Sequence, residues 1–297
     1  MPETVADGRA ATRSAGPLIV VAVLAAVSLT VAFLGASPAP VSARELMGAT
    51  RDPGQPAFVA SHRGNADSAP ENTLPGVLAA ISAGFDYVEV DVALTAEGSA
   101  VLMHDAKVDR TTNGTGRLAD LPLAYVRSLD AGGWFGAAFV GTPVPLVEEF
   151  LDVLAASETR ALIELKGEWT PVAVAHLVAE IEVRGLERRV AAASFDARTL
   201  ALVATESAVI SRLAILRTLP EDVVQAARAL GVRGVLAKGS AVIARPEIVD
   251  ELHAAGLRVV VYTFNEDGQW RDAIDLGVDG IVTDRPEMLA TWLASSR

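Results

Sequence analysis

Two histidines mark the part of this chain best equipped for chemistry. His62 follows the apolar run AFVAS (57–61), His104 follows AVLM (100–103), and each is followed in turn by a charged residue, Arg63 and Asp105. Imidazole titrates at about 6.5, so one ring can take a proton from an attacking oxygen while the other gives one to a leaving alcohol near neutral pH. Between them lies YVEVDVAL (87–94), whose strict alternation sets Glu89 and Asp91 on one face of a strand and Val88, Val90 and Val92 on the other. Glu164 and Lys166 share a face of a further run, TRALIELKGE (159–168). Glu89, Asp91 and Glu164 are hard oxygen ligands suited to Ca²⁺ or Mg²⁺, and Arg63 and Lys166 are fixed cations of the kind that hold a phosphoryl group. Together these are the parts of a metal-assisted phosphodiester hydrolysis.

Each residue also admits a plainer role. Glu89 and Asp91 can form salt bridges on a solvated strand, and Glu164 and Lys166 can pair with each other. Glu71 and Asn72 precede a helical pattern whose N-terminus they can cap. Trp134 and Phe135 can close a substrate pocket or simply pack the segment that carries them. His176 and His253 fall inside helical patterns, as surface or packing residues.

What must position the polar residues is a series of short strands that they terminate. AFVAS leads through a loop to the helical spacing of ENTLPGVLAAISAG (71–84). Only TAEGS separates YVEVDVAL from AVLM, too little for a crossover helix. Residues 106–145 form a Gly- and Thr-rich excursion with at most one short helix near 121–129, a length that in a compact domain points to function. Helices are then predicted over 145–157, 171–184, 196–206, 220–230, 246–255, 267–276 and 286–294, and strands over 189–195, 211–217, 233–238, 258–264 and 279–284. Such alternation predicts an α/β fold, a parallel sheet covered by helices. Polar strand ends recur along the whole chain, which favours a TIM-type (β/α)8 barrel, with 106–145 inserted after the third strand, over an open sheet that gathers its ligand groups at one switch point. Nine strand-like runs compete for eight places, so one is extra.

Size and composition bound the partners. The 297 residues exceed one typical domain but fit a barrel of about 250 residues once the N-terminus is set aside. A net charge of −12 argues against nucleic acid as a partner, and the absence of cysteine excludes disulfides, thiolate zinc sites and cysteine nucleophiles. Residues 17–36 are a continuous apolar run of bilayer-spanning length, preceded by Arg9 and Arg13, which places residues 1–16 in the cytoplasm and the rest outside it. The run reads as a retained anchor or as a signal cleaved after Val41-Ser42-Ala43. Residues 37–56 carry Pro38, Pro40, Pro53 and Pro56 and read as a linker, leaving 57–297 as the barrel domain.

The ordered set HRG, PENT, EVDV, HD, TTNGTG, LDAGGWF, IELK, VYTFN and GVDGIVTDRP closely resembles the bacterial glycerophosphodiester phosphodiesterase family over residues 57–290. The resemblance implies a barrel enzyme that hydrolyses small glycerophosphodiesters to glycerol 3-phosphate and an alcohol. It implies His62 and His104 as the acid–base pair and Glu89, Asp91 and Glu164 as ligands of a divalent cation. Arg63 and Lys166 would hold phosphate, with Glu71 and Asn72 lining the same pocket. In the mechanism usual for the family, the glycerol 2-hydroxyl attacks phosphorus and water then opens a cyclic phosphate. One position departs: where many members read Trp-Thr-Val-Asn, this chain has Tyr262-Thr263-Phe264-Asn265, so Tyr262 would supply the aromatic wall of the substrate pocket. Two alternatives stand beside this reading: a lysophospholipase D or phospholipase C-like enzyme acting on membrane lipids, and an inactive barrel that only binds a phosphorylated ligand.

Overall fold

The computed structural model describes residues 39–295. Its strands are β1 (Phe58–Ser61), β2 (Tyr87–Leu94), β3 (Ala100–Leu102), β4 (Arg160–Leu165), β5 (Val190–Ser194), β6 (Ser211–Leu216), β7 (Gly234–Lys238), β8 (Arg258–Tyr262) and β9 (Gly280–Thr283). Eight of them, all but β3, pair in parallel, and β1 bonds both β2 and β9, so the sheet closes on itself. β3 pairs antiparallel with the end of β2 (Val92↔Leu102) and stands outside the ring. This identifies the ninth run: parallel neighbours need a crossover of a dozen residues or more, and TAEGS permits only a hairpin.

Alternation along each strand divides two cores. Outward-facing Val88, Val90, Ile163, Ala192, Val235 and Val259 pack under the helices. Inward-facing Phe58, Ala60, Tyr87, Leu162, Ala193, Leu213, Leu236, Val260 and Val282 fill the lumen. Side chains of the same parity, one or two steps further along each strand, therefore open onto the C-terminal mouth, where a barrel of this kind places its chemistry.

The other end of the lumen is sealed by the part of the chain that reads as a linker. Residues 37 and 38, the apolar run 17–36 and residues 1–16, predicted above to be cytoplasmic, lie outside the described residues; from 40 onward the segment belongs to the barrel. Val41, Leu46 and Met47 are buried among the lumen side chains, the last two on a short helix, Ala43–Met47, capped by Ser42. Tyr87 Oη donates to the Leu46 carbonyl, Arg258 to that of Gly48 at 2.6 Å, and Arg233 and Ser211 to that of Val41. The physical reason is the lumen itself. Small residues such as Ala60 and Ala191 leave space at the closed end, and burying an aliphatic side chain there is worth about 1.5–3 kcal/mol. Among the described residues no helix is long and apolar enough to cross a membrane.

After β3 the insertion folds around its own small core of Met103, Val108, Leu118, Val126, Leu129 and Val144. It contains one short helix, Leu123–Arg127, and two 3₁₀ turns, Leu118–Asp120 and Ala137–Phe139. Arg127 ties it to the helix Val147–Ala155 through a two-pronged bond to Glu149, both at 2.7 Å.

Candidate active site

The inward parity of β2 and β4 brings Glu89, Asp91 and Glu164 together at the mouth. The register Asp91↔Glu164 makes two of them lateral neighbours, and one oxygen from each of the three lies within 4.8 Å of the others. All three are buried. Burial first, then the adjacent Asp91 charge, pushes the Glu89 carboxyl up to about 8, and the same two causes raise Glu164. Asp91 goes the other way: Lys166 and Arg63 overcome its desolvation and hold it below the ordinary range. Lys166 Nζ stands 2.8 Å from Glu164 Oε1 and 3.3 Å from Asp91 Oδ1, yet neither contact has hydrogen-bond geometry, so both oxygens retain free lone pairs in a buried place. Three converging carboxylates with unsatisfied oxygens fit a hard divalent cation.

The loop after β1 is built to reach this cluster. Arg63 (φ 56°) and Asn72 (φ 52°) adopt the left-handed conformation, which costs a residue with a side chain about 1–2 kcal/mol. The Arg63 amide donates to Glu89 Oε2 at 2.9 Å, and Asn72 exchanges two bonds with Asp91, Nδ2 to Oδ2 at 2.9 Å and Oδ1 from the Asp91 amide at 3.0 Å. Gly64 (φ 82°) is required because a Cβ would stand 2.7 Å from the Gly76 carbonyl carbon. The helix Leu74–Ser82 is capped by Thr73, so Glu71 and Asn72 are released from the capping role and belong to the site.

Each histidine is gripped at Nδ1 by a carboxylate. His62 bonds Asp284 at 2.6 Å, and Asp284 is held in turn by Asn265 at 2.7 Å. His104 bonds Asp105 at 2.6 Å; Arg110 donates to Asp105 at 2.6 Å and to both oxygens of Glu71, which also receives Arg63 at 2.9 Å. Both Nε2 atoms are thereby free to face a substrate, and that of His62 lies 3.9 Å from Glu89. Burial works to depress His62, but the Asp284 bond and the Glu89 charge outweigh it and the ring ends above its ordinary value; burial depresses His104, and the net shift is downward.

Nine of the ten residues singled out from the sequence thus converge. Tyr262 lies further round the same mouth, its hydroxyl donating to the Leu216 carbonyl at 3.4 Å and its ring edge-on to Phe195. His176 pairs with Glu148 on the wall of the groove described next, and His253 pairs with the buried Asp279. Asp105, Arg110, Asn265 and Asp284 were not singled out, although HD, TDRP and VYTFN contain three of them. A groove of about 1400 Å³ leads from His104, Glu164 and Lys166 past Phe195 and Arg217 to the insertion.

A carboxylate cluster, two carboxylate-held imidazoles and paired cations at the mouth of a (β/α)8 barrel define a hydrolase of phosphate esters. Comparison with known proteins narrows this. Residues 62–288 match the glycerophosphoryl diester phosphodiesterase family. A glycerophosphodiester phosphodiesterase of Caldanaerobacter subterraneus is 32% identical over 235 residues, 78% of this chain and 96% of the relative. Among solved structures, a putative glycerophosphoryl diester phosphodiesterase of Silicibacter pomeroyi superimposes with a TM-score of 0.73 at 29% identity, covering 82% of this chain and 95% of that one. A phosphodiesterase of Oleispira antarctica, solved with its product sn-glycerol-3-phosphate, gives 0.72 at 27%, covering 80% and 97%. The chain belongs to the glycerophosphoryl diester phosphodiesterase family, and its enzyme class is that of the glycerophosphodiester phosphodiesterases.

Proposed function

We propose that this chain hydrolyses small glycerophosphodiesters to sn-glycerol 3-phosphate and an alcohol, using His62 and His104 as acid and base and a Ca²⁺ or Mg²⁺ ion held by Glu89, Asp91 and Glu164. The observation that carries the reading is the pair of imidazoles, each fixed at Nδ1 and each leaving Nε2 open beside the acidic cluster. When bound, the cation supplies charge stabilisation to the non-bridging phosphate oxygens. Arg63 and Lys166 hold the phosphoryl group, and their fixed positions favour the charge that builds up in the transition state. One histidine takes the proton from the attacking oxygen at its Nε2 and the other delivers one to the leaving alcohol. Asp284 and Asp105 keep the Nδ1 protons in place, so each ring presents the correct nitrogen. Glu71 orients Arg63, and Asn72 fixes Asp91. The continuous apolar run at 17–36 supports a site of action outside the cytoplasm.

The test is an assay of chelator-stripped protein on glycerophosphocholine and on a lysophospholipid, with Ca²⁺ or Mg²⁺ restored. Glycerol 3-phosphate released from the first substrate only with metal is the expected result. Turnover confined to the lipid removes the small-diester reading, and folded protein inert on both leaves a binding barrel.

A further inference from the structure

Beyond the groups that serve phosphate and metal, the same mouth carries side chains that the reaction as described does not use. On β6, Leu213 and Ile215 face the lumen; on β7, Leu236 does; on β8, Val260. One more two-residue step places Arg217, Lys238 and Tyr262 on the inward side at the mouth. The registers Leu216↔Ala237 and Lys238↔Tyr262 make them neighbours on three adjacent strands at one level. From β5, where Ala191 and Ala193 point inward, the next step gives Phe195, which is 40% exposed. Arg217 and Lys238 are exposed, and among the described residues neither side chain has a hydrogen bond or an ion-pair partner. Arg217 instead packs on an aromatic ring: its Cζ lies 4.6 Å from the Phe195 centroid. Lys166 Nζ lies 6.0 Å from the same centroid.

We propose that Arg217 and Lys238, with Phe195 and Tyr262 as walls, form a head-group subsite for alcohols that carry their own negative charge, a carboxylate or a second phosphate. The subsite rests on the phosphodiesterase reading above and names the substrate class of that site. Its position follows from Lys166. The cation that holds the scissile phosphate and Arg217 share one ring, so a group bound at Arg217 is a single head group away from phosphorus. Its selectivity follows from charge. The carboxylates lining this groove beyond the metal cluster are mostly engaged: Asp105 by His104 and Arg110, Glu148 by His176, and Asp196 by the N-terminus of the helix Ala197–Glu206. Glu168 alone among them has no partner, against Arg217 in the same lining and Lys238 on the adjoining strand, outside the groove's own lining. In a chain of 37 acidic and 25 basic residues, cations left free at the mouth attract an anionic head group and repel a quaternary or primary ammonium.

The experiment compares kcat/KM, with metal saturating, on three diesters that share the glycerophosphoryl half: glycerophosphoglycerol with its neutral head, bis(glycerophospho)glycerol with a second phosphate, and glycerophosphoglycerate with a carboxylate. The expected result is a preference of about tenfold or more for at least one charged substrate, expressed in KM, shrinking with added salt and falling towards one in the Arg217→Gln/Lys238→Gln protein. Preference for the phosphate-bearing or for the carboxylate-bearing substrate tells which anion the site accepts. Equal turnover of all three by the unaltered enzyme overturns the subsite while leaving the phosphodiesterase reading intact. So does a preference that survives the double substitution. No turnover of any of the three removes both.

Discussion

His62 and His104 sit in different electrostatic surroundings although each has a carboxylate behind it. His62→Ala or His104→Ala should lower turnover by roughly 100-fold or more, the usual scale for a lost acid or base, in assays at fixed metal concentration. Unchanged turnover in both variants would remove them from the reaction. Asp284 offers a test in stability rather than rate. The His62 and Asn265 bonds overcome its desolvation and hold it at about 2, against an ordinary 3.8. A depressed carboxylate contributes stability that is complete above its unfolded value and is lost as pH falls through the folded one. Urea midpoints of the wild-type and Asp284→Asn proteins should therefore differ at pH 6 and converge as pH falls from about 3.8 to about 2; a constant gap would show that Asp284 does not titrate this way. Glu89 and Asp91 were legible in the sequence because alternation within one strand reveals a shared face, and Glu164 because it stands near the end of another strand on the same face as Lys166. Asp284 was not, because its partner lies 222 residues away and nothing local announces the bond.

Among the elements, the insertion is attached to the chemistry through a single side chain. Arg110, at its start, reaches both Asp105, which holds His104, and Glu71, which holds Arg63. Arg110→Ala should cost roughly 10- to 100-fold in kcat through misplacement of those groups, with little change in melting temperature because the guanidinium is half-exposed. Arg110→Lys should rescue little, since an ammonium cannot make the two-pronged bond. Full activity in both would mean the strap is ornamental to His104. The alternation of strands and helices showed the barrel, and the length of TAEGS held the information needed to exclude β3. Residues 40–48 misled for a physical reason: prolines flank them, and a helix of five residues is too short to display a period.

At the scale of the molecule, the buried acidic cluster makes the metal-free protein sensitive to alkali. Glu89 titrates at about 8 when folded and at 4.5 in the unfolded reference, so the stability associated with its neutral form is full below 4.5 and is lost as pH rises through about 8. Chelated protein should melt lower at pH 9 than at pH 6, added Ca²⁺ or Mg²⁺ should close that gap, and Glu89→Gln should flatten the pH dependence while weakening the response to metal. A metal-free melting curve indifferent to pH would deny the cluster its mutual repulsion. The sealed floor has a consequence for how the molecule is made. Val41 and Gly48 are bound by Ser211, Arg233 and Arg258, partners 170, 192 and 210 residues downstream. On the ribosome these early residues emerge long before anything exists to cover them. Val41, Leu46 and Met47 must wait uncovered until almost the whole barrel has been synthesised, so the first part of the domain to appear is among the last to find its place.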